Sequence, residues 1–296
     1  MRTTATDAAV VHANLTPMPF LLHKICHRAY LHMTTLPASN PIHREIHLAA
    51  CQRSRHKSPL HFLVKTFGTH PKSTEEILPL HHSPKWTPNV TTLIADKKEE
   101  AIQDAERSEE EIQIFTDGSG YQRGIGAAAV LRCRGQPEKT LRFHLGSDKH
   151  YTVFNGEQIS MLLGVELLCR EWNILSVYMG VDNQAAILAT TSFYSSSSHS
   201  LTDRFIDSLN SILKKHNLPH FAICWVPGHA DIAGNESVDR EVKKAAEGNS
   251  SPVELLPTSL KMQRTPIVLP FSKAALLQAF NTKLKAEIKA DFMSTE

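Results

Sequence analysis

The stretch IQIFTDGSGYQRGIGAAAVLRCRGQPEKTLRFHLG, residues 112–146, decides the fold. Ile112, Ile114 and Thr116 recur at every second position, the side-chain period of a strand, and run into the Gly-rich DGSG, which predicts a turn. GIGAAAVLRC is small and β-branched, suited to a second strand. TLRFHLG alternates like a third, with GQP at the turn between them. Three successive strands joined by short connections predict an antiparallel meander.

Downstream the period changes. Residues 154–170 carry Ile159, Leu162, Leu163, Val165, Leu167 and Leu168 at helical spacing. ILSVYMGVD, residues 174–182, is a compact apolar run that ends in a carboxylate, and the short helical NQAAILAT follows it. SFYSSSSHS reads as a low-complexity loop, residues 201–216 as an amphipathic helix, FAICWVPGH as a strand entering a turn, and residues 235–247 as a last helix. The order is βββαβαβα with one extra helix, which predicts an α/β fold with a mixed sheet.

Upstream, residues 96–111 (DKKEEAIQDAERSEEE) form a charged, helix-favouring linker. Residues 1–95 differ in composition, with ten Lys/Arg against four Asp/Glu and eleven of the seventeen histidines. Helices are expected at 19–31 and 43–50 and connections at 36–41 and 83–89, within a loosely structured, basic, His-rich region. Residues 249–296 form a Pro-punctuated tail whose SKAALLQAFNTKLKAEIKA is a basic amphipathic helix. The domain assignment is therefore 1–95, 96–111, 112–248 and 249–296.

A 296-residue chain with 41% hydrophobic residues is long enough to bury a sizeable core. A net charge of +2 is too small to indicate a polyanionic partner. The five cysteines (Cys26, Cys51, Cys133, Cys169, Cys224) are odd in number and lack a CxxC pair, which argues against a disulfide framework or thiolate zinc site and for an intracellular compartment, nucleus or cytoplasm. No run has the length and apolarity of a membrane span.

Four acids fall where side chains of an α/β sheet converge: Asp117 at the end of the first strand, Glu157 near the start of the long helix, Asp182 at the C-terminal end of the fourth strand, and Asp239 in the final helix. Singly, each reads as a turn or cap residue. Together they supply the hard oxygen donors that two divalent cations need for phosphodiester hydrolysis.

These residues also carry a family resemblance. TDGS (116–119), FNGEQ (154–158), VDNQAA (181–186) and WVPGHADIAGNESVDREVKKA (225–245) resemble the signature blocks of type 1 ribonuclease H domains, in order and over about 135 residues. The VPGH and GNExxD forms are most similar to ribonuclease H domains of LINE-type (non-LTR) retrotransposon reverse transcriptases. The resemblance implies a five-stranded mixed sheet with its first three strands antiparallel. It further implies endonucleolytic hydrolysis of the RNA strand of RNA–DNA hybrids with two Mg²⁺ or Mn²⁺ ions. By motif position Asp117 bridges the metals, Glu157 and Asp182 ligate them, Asp239 completes the site, and His229 assists proton transfer or product release.

Gly118, Ser119, Gly156 and Asn183 are candidate contacts with the hybrid, with turn geometry or helix capping as their alternative reading. The serine run 195–198 stands where some family members carry a Lys/Arg-rich substrate grip, which points to a reverse transcriptase module outside this chain as the holder of the duplex. A non-catalytic, nucleic-acid-binding ribonuclease H-like remnant is the alternative function. His43, His47 and Cys51, four residues apart, have the spacing of a zinc chelate on one helix face, although solvated histidines explain it equally. Trp172 and Trp225 are expected in the core.

Overall fold

The computed structural model describes residues 13, 15–51, 56–83, 85–88, 90–172, 174–216, 220–228, 230, 232–261 and 269–294. Two compact units divide the chain: residues 1–76 with 270–296, and residues 77–269. Residues 84 and 89 of the expected 83–89 connection, and 262–268 of the tail, lie outside the described residues.

The first unit contains α1 (Met18–Thr34), α2 (Pro41–Cys51), α3 (Pro59–Phe67) and the C-terminal helix Lys273–Ser294. Tyr30, Leu31 and Ile46 form its buried centre, against which Leu60, Leu63, Val64, Phe67, Leu276 and Leu277 pack. α3 falls in a segment for which no helix is expected; its apolar run is short, and it depends on a Pro at the first turn and a left-handed Gly68 at its end. His27 stacks on Phe280 at 3.7 Å, and burial followed by the charge of His23 lowers its pKa to about 4.

The second unit runs β1 (Thr91–Leu93), α4 (Lys98–Arg107), β2 (Ile112–Tyr121), β3 (Gly124–Cys133), β4 (Lys139–Ser147), α5 (Val153–Leu168), β5 (Ser176–Val181), α6 (Gln184–Ala189), α7 (His199–His216), β6 (His220–Trp225) and α8 (Ala233–Ala246). The sheet order is β1-β6-β5-β2-β3-β4. β2, β3 and β4 pair antiparallel, and β5 lies parallel to β2 and to β6. This is the expected mixed α/β sheet with its first long strands antiparallel.

Among the described residues the sheet has six strands rather than five. β1 pairs parallel with β6 through Thr91, Thr92 and Leu93; three residues give a single alternation, too little for a period to be read. The first turn also moves. DGSG stays inside β2, and the hairpin turns at Gln122 and Arg123, both in the left-handed region at φ 47° and 67°. Two consecutive positive φ values match the right-handed twist of the flanking strands.

Both faces of this sheet are covered. α5 packs on β2 and β3, with α7 behind it, while α8 packs on β2, β3 and β4. α5 is buried on nearly every side, so its apolar residues surround the helix instead of forming one stripe. Ala127, Ala128 and Ala129 in the middle of β3 are fully buried, their small size suiting a strand covered on both faces. Phe115, Val130, Tyr178, Val226, Val238 and Val242 form a core cluster in this unit. Trp172, expected inside, is 80% exposed, with Lys215 Nζ 5.5 Å from its ring centroid. The helix before it ends four residues earlier, at Leu168, and Trp172 lies in the connection toward β5. Trp225 is half-buried. No helix among the described residues is long and apolar enough to cross a membrane.

Candidate metal centre

Asp117 sits in mid-strand, opposite Ala128 of β3, and not at the strand end that the motif suggested. It is 7% exposed. Glu157 lies in the second turn of α5 and is 3% exposed. Asp182 directly follows Val181, the last residue of β5. Carboxylate oxygens of these three residues lie within 4.8 Å of one another. Asp239, from the middle of α8, hydrogen-bonds the side chain of Asp117. Four separate elements thus deliver the four predicted acids to one place.

Backbone packing makes this convergence possible. A Cβ on Gly118 would lie 2.1 Å from Glu157 N, and one on Gly156 would lie 2.8 Å from Gly126 O and 3.1 Å from Gly118 Cα. The two glycines let α5 touch β2 backbone to backbone, which brings Glu157 beside Asp117. In that contact Gly118 N–H donates to Glu157 Oε2 at 3.1 Å. Thr152 caps α5 by accepting from Asn155 N, and Asn155 in return accepts from Thr152 N at 2.8 Å.

Asn183 has two local tasks. Its Oδ1 accepts from Ala186 N at 3.2 Å, capping α6, and its side chain also hydrogen-bonds Glu157. Since Oδ1 is the cap acceptor, the amide NH₂ faces the carboxylate. Trp225 Nε1 donates to the carbonyl of Asp182 at 3.1 Å, and Val226 N donates to Val181 O. Those two bonds tie the end of β5 to the start of the following loop, whose Gly228 would carry a Cβ 3.7 Å from Asp182 Oδ2. His229 lies outside the described residues. Ser119 continues β2, paired with Gly126. The roles of Asn183 and Trp225 in holding Glu157 and Asp182 are not visible in a motif; only the cap spacing of Asn183 to Ala186 hints at one of them.

Electrostatically the centre gathers like charges that burial penalises. Burial pushes the Asp117 carboxyl from its ordinary 3.8 up to about 8, helped by the negative charges of Asp182 and Asp239 and by the bond to Asp239. Burial, then Asp182 and Asp117, likewise raise Glu157 well above the usual carboxylate range, against the opposing bonds from Asn183 and Gly118. Like charges in a low-dielectric pocket hold protons until a cation replaces them. The donors are hard oxygens in a confined space, the set that a small divalent cation takes. The residues therefore fit the metal that the motifs imply.

No family model and no curated protein matches the chain. Several solved structures are similar to part of it. Ribonuclease H1 from the halophilic archaeon Halobacterium salinarum NRC-1 is 15% identical over 47% of this chain and 98% of that one, with a TM-score of 0.36. LC11-RNase H1, solved with an RNA/DNA hybrid, is 16% identical over 46% of this chain and 96% of that one, also at 0.36. The N-terminal RNase H domain of rv2228c from Mycobacterium tuberculosis, fused to maltose-binding protein, is 14% identical over 46% and 98%, again at 0.36.

A second cluster, His81, His199 and Asp203, also brings ligand-type atoms within 4.8 Å. Its hydrogen bonds decide its chemistry. Leu78 N–H donates to His199 Nε2 at 3.1 Å, so a neutral His199 carries its proton on Nδ1, which faces Asp203 Oδ2 at 3.0 Å. His81 Nδ1 lies 2.7 Å from the other carboxylate oxygen. A cation on His199 Nδ1 would force the ring proton onto Nε2, against the Leu78 N–H. Burial pushes Asp203 up, but the bonds from the two imidazoles outweigh it and leave the carboxyl below its usual range. In the first unit, the His43 and His47 rings lie 4.2 Å apart, tilted by 34°, while Cys51 faces His70 at 3.9 Å. Among the described residues these do not form a three-ligand group.

Proposed function

We propose that residues 112–248 are a ribonuclease H domain that cuts the RNA strand of RNA–DNA hybrids endonucleolytically. The observation that carries this reading is the buried convergence of Asp117, Glu157 and Asp182, with Asp239 bonded to Asp117, at the positions the four motif blocks single out. Asp117, Glu157, Asp182 and Asp239 would hold two Mg²⁺ or Mn²⁺ ions, which neutralise phosphoryl charge and activate water. Gly118 N–H and the Asn183 amide orient Glu157, and Trp225 fixes the carbonyl of Asp182.

We assign Gly118, Ser119, Gly156 and Asn183 to the substrate-binding edge of the centre, Gly118 and Gly156 through the buried backbone contact that sets it and Ser119 and Asn183 as its less buried pair, and His229 to an auxiliary proton-transfer role. An A-form hybrid presents 2′-hydroxyls on one strand only, which is how the RNA strand is told from the DNA. We further read the domain as retroelement-derived, acting inside the cell alongside a reverse transcriptase module that grips the duplex, with residues 1–95 as the connecting region.

The test is a hybrid labelled on either strand, incubated with the full chain and Mg²⁺ or Mn²⁺. RNA-strand fragments with 5′-phosphate and 3′-hydroxyl ends are expected, with the DNA strand intact. Binding of the hybrid without any cutting would favour the non-catalytic remnant instead.

A further inference from the structure

α1 is built for contact on two opposite faces. His27, Tyr30, Leu31 and Thr34 are buried on the side that packs into the first unit. At about 100° per residue, Met18, Leu22, Ile25 and Ala29 fall on the reverse side, within roughly 60° of one another. All four are exposed, Met18 at 62% and Leu22 and Ile25 at 53% each. Leu21 borders this stripe and Leu15 continues it just before the helix, both also exposed. From Leu15 to Ala29 the steps alternate between three and four residues, the period of a coiled-coil seam. An exposed apolar row of this kind marks a site of association.

Shape, charge and area select the partner. About a two-fold axis between residues 23 and 24, an antiparallel pair sets Leu22 against the partner's Ile25 and Met18 against the partner's Ala29, so that the small residue meets the long one. A parallel pair sets Ala29 against the partner's Ala29 and leaves a gap. Residues 15–44 contain no Asp or Glu, and Arg28 flanks the stripe, with Lys24 further round the helix. Antiparallel pairing holds Arg28 and the partner's Arg28 about 13 Å apart along the axis, beyond the screening length of about 8 Å, whereas parallel pairing sets them level. Five large apolar side chains from each copy, each about half exposed, remove roughly 1,000 Å² from water in total, the lower limit of a specific interface.

We propose that the outer face of α1 is a dimerisation surface, on which α1 of a second copy of this chain packs antiparallel about a two-fold axis. The same patch serves both copies, as a two-fold interface requires.

The test is sedimentation equilibrium of the full chain, without nucleic acid and in reductant, so that the exposed Cys26 and Cys51 cannot join two copies. A monomer–dimer equilibrium is expected, with a Kd on the order of micromolar for an interface of this size. Leu22→Glu with Ile25→Glu should raise that Kd roughly a hundredfold, as for paired central contacts. The monomer should keep its Tm, because both side chains already face water. Orientation is read by oxidation in a Cys26→Ser, Cys51→Ser background, where Met18→Cys should cross-link to Ala29→Cys when the two variants are mixed, and neither to itself. The proposal is overturned if the chain stays monomeric at about 100 µM, whether or not it then floats with phosphatidylserine vesicles or captures another protein. It is equally overturned if the two Glu substitutions leave the dimer intact, or if the cross-link fails to form between the two variants or forms within one.

Discussion

The two titratable clusters of the second unit are built on opposite principles. At Asp117, Glu157, Asp182 and Asp239 every charge has the same sign, and the fold raises the pKa of Asp117 and Glu157. At Asp203 one carboxylate sits between two imidazoles, and the fold lowers its pKa. The first cluster is compensated only from outside, by protons or cations; the second is compensated from within. A count of His, Asp and Glu ranks both as metal sites, and only the sign of the pKa shift and the tautomer of His199 separate them.

Breaking the first cluster should have the largest effect. Asp117→Asn should cut hybrid cleavage by roughly a thousandfold, the scale of removing one preorganised electrostatic group, while raising the Tm of the cation-free protein. Activity close to the parent would show that the carboxylates are structural.

Next in size is the pH dependence of stability, where the clusters should oppose each other. Asp117 keeps its proton to about pH 8 when folded and releases it near 3.8 when unfolded. Between those values the folded state binds more protons, so cation-free stability falls as pH rises through that window. At roughly 2–4 °C per kcal/mol for a domain of this size, the Tm should drop by several degrees between pH 5 and 8. Mg²⁺ should recover it at pH 8 and do little at pH 5. Asp203, whose carboxyl is lowered, contributes stability that is complete above its unfolded value and is lost as pH falls through its folded one. Asp203→Asn should therefore flatten the acid limb alone and leave the Mg²⁺ response intact. A Tm independent of pH and Mg²⁺ would remove the contrast.

A smaller effect sharpens the comparison. Asn183→Ala deletes both the α6 cap and the bond to Glu157, so metal affinity should weaken by about tenfold, as for other residues that orient a metal ligand. The cap itself is worth about 1 kcal/mol, readable as a lower denaturant midpoint. Asn183→Asp, which keeps the cap acceptor but loses the amide donor, should restore the midpoint without restoring metal affinity.

The centre of the fold was legible because its signals are dense. β2, β3 and β4 carry ten, ten and nine residues of strand pattern, and the four acids lie in blocks with fixed neighbours. The misreadings share one cause, segments whose structure is set by tertiary partners. Thr91–Leu93 is a strand because β6 offers it an edge. DGSG reads as a turn in any local rule, yet Gly118 is a strand residue because α5 needs contact with the backbone there. Trp172 has a core composition and an exposed position. At the site, motif spacing placed the acids, but the bonds that hold them, Gly118 N–H and Asn183 to Glu157 and Trp225 to Asp182, depend on distances that spacing does not encode.

The most direct test of the central claim is cleavage of a labelled RNA–DNA hybrid by the purified full chain and by its Asp117→Asn variant, each with Mg²⁺ or Mn²⁺, beside single-stranded and duplex RNA. The account predicts hybrid-specific cutting that needs the cation and disappears in the variant. Cutting that persists in Asp117→Asn, or that proceeds equally in a chelator, would contradict it.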